Sequence, residues 1–476
     1  MSAVAVAPLL IAPLVFAPLL LAVVAWLVPD RIRPVLTLAG LVAVAVPAVC
    51  LAVVVATHGT VEQALGGWDP PLGIVVRVDG LSMVFVLLTL VVSGLVAAHA
   101  AALDDHPPAF WPLTLLLVAG LHAVFITGDL FNAYVGLEVV GLAAVGLVAL
   151  GGRGAWEPAL RYLLVAVLGS LLFLVALGLV YAGTGSLDMH LAGQRWADSG
   201  IPAVWPLGIA AVGLALKCAL FPLHGWLPPA HASAPTGVSP LLSGLVVKAP
   251  LFVLLRLWFD VTGPDPTVGL MLGVLGAGAV LWGGGQALVQ RGLKRVVAYS
   301  TVAQVGYLFL FFPLALDPDA RELALSGMVV LAVAHALAKA ALFLCAGTLK
   351  QLRGSDELTT LPGLAHGHPA LLLAMGLSAV SLIGLPISAG FIGKWQLLSA
   401  ASGAGAHWIV IVLVGGTLLS AGYLLRPIAA GMEEPDEHVA WPPLGWRHLL
   451  APITLALIST VLGLRAVELV TLVGVR

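Results

Sequence analysis

Apolar stretches of about twenty residues, separated by short links rich in glycine, proline and charge, recur along the whole chain. Because the hydrocarbon core of a bilayer takes about 20 helical residues to cross, this pattern predicts about fourteen transmembrane helices. They cover residues 5–28, 33–57, 80–101, 109–127, 129–150, 158–183, 204–231, 236–259, 267–289, 294–314, 323–350, 370–399, 405–431 and 448–473. No stretch is polar enough for a separate soluble domain, so the predicted fold class is an all-α polytopic membrane protein. The opening run, MSAVAVAPLLIAPLVFAPLLLAVVAWLVPD, has no basic leading region and is long enough to span, so it reads as the first helix and not as a cleaved signal.

Two of these segments carry internal breaks. In the seventh, LALKCALFPLHGWLPPAHASAPTG, Pro222 lacks an amide hydrogen and clashes with the carbonyl four residues back, and Pro228 and Pro229 follow. In the twelfth, SAVSLIGLPISAGFIGKWQLL, Gly384, Pro386 and Gly390 interrupt in the same way. Broken backbone at membrane depth is tolerated only against protein or a wet cavity. Paired interruptions in two halves of a chain point to a transporter with repeated helix bundles and a site near the midplane.

Composition supports the membrane reading: 61% of residues are hydrophobic and 9% charged, against about 25% charged in a typical soluble domain. The net charge of −2 offers no basic face for nucleic acid. Cys50, Cys218 and Cys345 lie in apolar runs and read as small hydrophobes. With no CxxC pair, nucleotide loop or flavin motif in the sequence, no metal or cofactor is expected, and a transporter subunit is expected in place of an enzyme. With the N-terminus outside, eleven arginines and lysines, among them Arg31, Arg153, Lys294 and Lys350, fall in cytoplasmic loops against five opposite. The positive-inside rule therefore places both termini outside.

A few charges sit inside segments. Glu138 and the lysines Lys217, Lys248, Lys339 and Lys394 are embedded in apolar sequence. Each is penalised by about 2.5 to 3.5 kcal/mol at a helix centre, so such residues mark ion or proton pathways. Glu138 follows Asp129, the predicted start of its helix, by nine residues, which places it about 14 Å deep. His335 and Lys339 are four apart and share a helical face. Lys394 follows the second break, and His224, in FPLHGWLPP, is a relay candidate between Lys217 and Lys248. A carboxylate and an ammonium about 8 Å apart interact by roughly 2 kcal/mol at an effective dielectric of 20, so moving Glu138 against Lys217 can switch whether the lysine keeps its proton. A static ion pair that fixes helix packing is the alternative. His122 reads as structural, and Arg256, near a helix end, as a snorkelling cation.

The stretches GDLFNAYVGLEVVGLAAVGLVALGG, ALKCALFPLHGWLPPAHASAPTGVSPLLSGLVVKAPLFVLLRL, KRVVAYSTVAQVGYLF and HALAKAALFLCAGTLKQLRGSDELTTLPGL resemble the antiporter-like subunits of respiratory complex I, membrane-bound hydrogenases and Mrp-type multisubunit Na+/H+ antiporters. The resemblance spans roughly residues 79–430 and is strongest to the Mrp D subunit, in GDLFN before the glutamate, GSLLFLVALGL and the HxxxK pair. It implies helices 1–3 (1–105), two inverted five-helix repeats (106–262 and 263–432) with discontinuous helices 7 and 12, and a final helix (433–476). It implies that Glu138 and Lys217 form a coupling pair, that Lys248 is the central relay, and that His335, Lys339 and Lys394 lead to the far side. The implied function is proton translocation in a Na+/H+ antiporter of the bacterial cell membrane. The implied partners are other hydrophobic subunits, H+, Na+ and membrane lipids. The sequence holds no obvious carboxylate cluster for sodium, which is then expected to bind in another subunit. The alternative is a proton-channel subunit of a redox-driven complex. Two departures from the family pattern stand out: Ala249-Pro250 directly after Lys248, where an unbroken glycine-containing segment is expected, and GLPIS in place of two consecutive prolines.

Overall fold

The computed structural model describes residues 3–103, 106–434 and 441–474, with side chains from Pro8 onward. The chain opens with α1 (Ala3–Leu27) and α2 (Arg33–His58), followed by a hairpin of β1 (Val61–Ala64) and β2 (Val75–Val78). The strands pair antiparallel, Val61 against Val78 through Ala64 against Val75, a small departure from an all-helical chain. Next come α3 (Gly80–Leu103), α4 (Phe110–Ile126), α5 (Leu130–Ala149), α6 (Arg153–Thr184) and a short helix, α7 (Met189–Trp196). The seventh predicted segment is two pieces, α8 (Val204–Cys218) and α9 (Leu227–Ser233). After α10 (Val238–Val261), α11 (Pro266–Val289), α12 (Leu293–Phe309) and α13 (Pro318–Arg353), the twelfth is likewise split into α14 (Pro369–Ile383) and α15 (Ala389–Gly403). α16 (His407–Met432) and α17 (Arg447–Val473) complete the bundle.

Among the described residues, 11 helices are long and apolar enough to cross a membrane, and three shorter apolar helices, α4, α8 and α14, accompany them. Helix starts follow capping chemistry: Asp129 accepts from the Asn132 amide at 2.7 Å and Asp265 from the Val268 amide at 3.0 Å, satisfying donors the first turn leaves free. The most apolar stretches of α10 and α13 are wholly enclosed, whereas those of α1 and α17 are 28% and 22% buried. Lys248 and Lys339 therefore stand on the enclosed helices, while the outer ones present apolar side chains at the surface.

Both breaks have local causes. α8 ends where Ala219 turns left-handed at φ 55°, three residues before Pro222, and the Trp226 indole donates at 2.9 Å to the Leu216 carbonyl, which also accepts from the Ala219 amide at 3.2 Å. α14 ends at Gly384, at φ 84°, and α15 restarts with Ser388 accepting from the Phe391 amide at 3.1 Å. The Ala249-Pro250 pair breaks nothing: a wide π-type turn over Leu242–Val246 precedes Lys248, and Pro250 sits in the first turn of the resumed helix. Such a turn reroutes the backbone bond that a proline at this position cannot donate.

Candidate functional site

The buried charges are assembled by helix crossings that glycine permits. Gly169 on α6 and Gly213 on α8 face each other so closely that a Cβ on Gly169 would stand 2.6 Å from the Gly213 carbonyl oxygen. This approach sets Lys217 of α8 beside Glu138 of α5. The Lys217 ammonium donates to Glu138 Oε1 at 3.0 Å, and the Ser170 hydroxyl of α6 donates to the same oxygen. The lysine side chain is 8% exposed and the carboxylate 29%, so the pair is largely withdrawn from solvent while the acid keeps one open side.

Lys217 also borders a cavity of about 10 Å³ lined by Tyr162, Val246 and Pro250, room for about one water. Val246 and Pro250 share one face of α10, two residues to either side of Lys248, so this cavity lies between the ion pair and α10. Lys248 is 1% exposed and donates to the Ser243 carbonyl of its own helix. The Ser243 hydroxyl bonds Thr301 Oγ1 of α12 at 2.9 Å, and Thr301 in turn donates to the Val297 carbonyl at 3.0 Å. Lys339 of α13 reaches that same Val297 carbonyl at 3.0 Å and bonds the Ser300 hydroxyl. Two buried ammonium groups are thus joined through one face of α12.

The same helix continues the connection. One turn beyond Thr301, the Gln304 amide donates to the Leu382 carbonyl at 3.1 Å. Lys394 of α15 donates to Leu382 at 3.1 Å and Ile383 at 3.0 Å, and stands 4.4 Å over the Tyr307 ring. These carbonyls are the unpaired C-terminal groups of α14, where the helix dipole is negative, so the break builds a seat for a cation.

The structure places the other candidates as follows. His335 is fully buried within charge–charge range of Lys248 and Lys339, and among the described residues neither ring nitrogen has a hydrogen-bond partner. His224 lies in the first break, stacked on Phe221 at 5.7 Å and edge-on to Tyr299 at 6.5 Å, hydrogen-bonded to neither Lys217 nor Lys248. His122 Nδ1 donates to the Leu14 carbonyl at 2.7 Å, tying α4 to α1. Arg256 does not snorkel: its guanidinium turns inward and makes two 2.7 Å bonds to the Asp79 carboxylate. A paired carboxylate inside reach removes the reason to extend to water.

Several participants lie outside the candidates legible from charge alone: Ser170, Ser243, Ser300, Thr301, Gln304 and His231. His231, in α9, is fully buried with both ring nitrogens unpartnered among the described residues, and it lies within charge–charge range of Lys248, Lys294 and Lys339. The available signal was the run S-T-x-x-Q inside KRVVAYSTVAQVGYLF, where polar residues share one helical face of an otherwise apolar segment.

Residues 127–420 match the model of a family described as NADH:quinone oxidoreductase/Mrp antiporter, transmembrane. The N subunit of NADH-quinone oxidoreductase from Desulforudis audaxviator is 35% identical over 424 residues, 85% of this chain and 83% of that protein. The D subunit of the Na+/H+ antiporter from Alkalihalophilus pseudofirmus is 32% identical over 360 residues, 74% of this chain and 72% of that one. Among solved structures, a chain of the Mrp complex from a Dietzia species superposes with a TM-score of 0.88 at 26% identity, covering 100% of this chain and 97% of that one. A chain of the membrane-bound sulfane sulfur reductase, an archaeal respiratory membrane complex, gives 0.87 at 27% identity, covering 98% and 96%.

Proposed function

The chain belongs to the NADH:quinone oxidoreductase/Mrp antiporter transmembrane family, whose relatives are membrane subunits of ion-transporting complexes, and we propose that it is the proton-translocating subunit of an Mrp-type Na+/H+ antiporter. In this reading about fourteen spans cross a bacterial plasma membrane with both termini outside, the first break and the second occupy matching places in two inverted repeats, and neighbouring hydrophobic subunits complete the complex. Sodium binds in one of those neighbours, and lipid covers the outer helices.

Glu138 and Lys217 are the coupling pair. A proton on Lys217 is held by the carboxylate and released when α5 and α8 shift apart. Lys248 takes the proton from the Lys217 side, with His224 in the first break as the relay between them. His335 and Lys339 receive it next, with the Ser243, Thr301 and Ser300 hydroxyls ordering the path, and Lys394 is the last holder before the far side. A proton crossing 100 mV releases about 2.3 kcal/mol, comparable to the charge–charge energy of the pair, so small helix movements are enough to trade one against the other. The observation that carries this reading is the buried Glu138–Lys217 pair at 3.0 Å beside a break.

A second reading draws on the 35% identity to the N subunit of an NADH-quinone oxidoreductase: the same relay in a redox-driven complex. Purification of the intact complex in mild detergent separates the two. Several small hydrophobic subunits and Na+-dependent proton movement after reconstitution support the antiporter; co-purifying iron–sulfur subunits with no Na+ dependence overturn it in favour of the redox complex.

A further inference from the structure

Between Lys248 and the β1–β2 face lies a layer that the relay does not use. Phe252 follows Lys248 by four residues and precedes Arg256 by four, so all three share one face of α10, with Arg256 about 12 Å beyond Lys248. The Phe252 ring meets Phe85 of α3 at 5.7 Å and Phe125 of α4 at 5.1 Å, and those two rings lie 5.2 Å apart. Each of the three is 1% exposed. Arg256 caps the cluster, its guanidinium 4.8 Å over the Phe252 ring.

On its outer side Arg256 is fixed by Asp79, by the Ser82 hydroxyl at 3.1 Å and by Asp260 at 3.4 Å. Arg77 extends the pairing to Asp260 at 3.9 Å and to Glu62 of β1 at 3.5 Å. Side-chain exposure climbs along this run, from 9% at Arg256 and 18% at Asp79 and Asp260 to 26% at Arg77 and 53% at Glu62. Charged groups therefore lead from solvent at the hairpin to within one aromatic layer of the central lysine, and stop there. Water entering that layer finds no hydrogen-bonding side chain among the three rings, and apolar constrictions of this kind close pores by dewetting. Because Asp79 and Asp260 neutralise the capping guanidinium, the barrier to hydronium and to Na+ is the apolar ring layer itself.

We propose that Phe85, Phe125 and Phe252, capped by Arg256, form a proton and cation seal that closes Lys248 to the hairpin face. The seal rests on the reading of Lys248 as a relay group and gives that relay a direction: Lys248 exchanges protons only with the Lys217 and α12 sides. Asp79 and Asp260 hold the capping arginine in place and are positioning residues.

The test uses the whole complex in sealed proteoliposomes, with a proton gradient imposed under clamped potential and no Na+ present, and passive proton flux read from a trapped dye. F252A, and separately F85S, should raise passive flux at least tenfold in complexes with unchanged subunit content, while F252L, which keeps the layer apolar, should stay near the unmodified rate. Adding K248A to F252A should abolish the extra flux. Assembled F252A and F85S complexes that remain as tight as the unmodified one overturn the seal, as does extra flux that survives K248A. Failure of the relay reading is seen separately, as Na+-dependent exchange that persists in K248A with the phenylalanines intact.

Discussion

Replacing Glu138 by glutamine keeps the side chain's shape and removes the charge that Lys217 faces at 3.0 Å. The new amide oxygen can still accept from Ser170 and Lys217, so what is lost is the charge–charge attraction. For a pair near 4 Å at an effective dielectric of 20 that attraction is about 4 kcal/mol; the closer contact raises it and the 29% exposure of the carboxylate screens it, so the two corrections oppose and about 4 kcal/mol stands. Each 1.36 kcal/mol is a factor of ten in rate, so a coupling step that trades the whole attraction slows by about a thousandfold. In everted membrane vesicles carrying an imposed pH gradient, collapse of that gradient on addition of Na+ should be at least a hundredfold slower in E138Q than in the unmodified complex. E138D, which restores the charge at a slightly longer reach, should recover part of it. A fully assembled E138Q complex with unmodified Na+-induced collapse would reduce the pair to a static packing device.

Three further outcomes follow from the same geometry. Thr301→Val keeps volume and deletes the 2.9 Å bridge to Ser243, leaving a buried hydroxyl short of a partner at about 1–3 kcal/mol; exchange should fall about tenfold or more, with Thr301→Ser close to unmodified, measured in the same vesicles. Gly213→Leu drives a side chain into the Gly169 backbone and separates α6 from α8, costing about 1–3 kcal/mol of stability and lowering the thermal midpoint of the detergent-solubilised complex, while Gly154→Leu, in open space, should leave it unchanged. Burial pushes the Asp79 carboxyl upward, but the Arg256 charge and its hydrogen bonds outweigh this and hold it at about 2. A carboxyl depressed in the folded state stabilises it above the ordinary range near about 4 and loses that contribution as pH falls toward 2, so Asp79→Asn should lower the melting midpoint at neutral pH and flatten its decline between pH 4 and 2.

Much of the framework was legible because bilayer crossing imposes length and apolarity that stand out in the chain. Both breaks were readable for the same reason: Pro222 and the Gly384-Leu385-Pro386 run cannot continue a helix. The buried charges were equally visible, since a lysine inside an apolar run is costly enough to stand out. What charge could not reveal was the partner of each. Arg256 read as snorkelling because its acid, Asp79, is 177 residues away. The α12 hydroxyls were passed over because serine and threonine inside membrane helices commonly bond their own carbonyls, as Thr301 also does here. The π-type turn before Lys248 left no sequence mark apart from Pro250, and the hairpin of four-residue strands was too short to register against the surrounding helices.

The claim that one buried path joins the Glu138–Lys217 pair to Lys394 meets its sharpest test at Lys248, the group between its two halves. In proteoliposomes containing the assembled complex, proton uptake and Na+ release are followed together after a pH jump, for the unmodified protein and for K248A. With a single path, both fluxes fall to background in K248A while Na+ and H+ movements remain locked in ratio in the unmodified complex. Undiminished exchange of both ions in K248A would rule that path out.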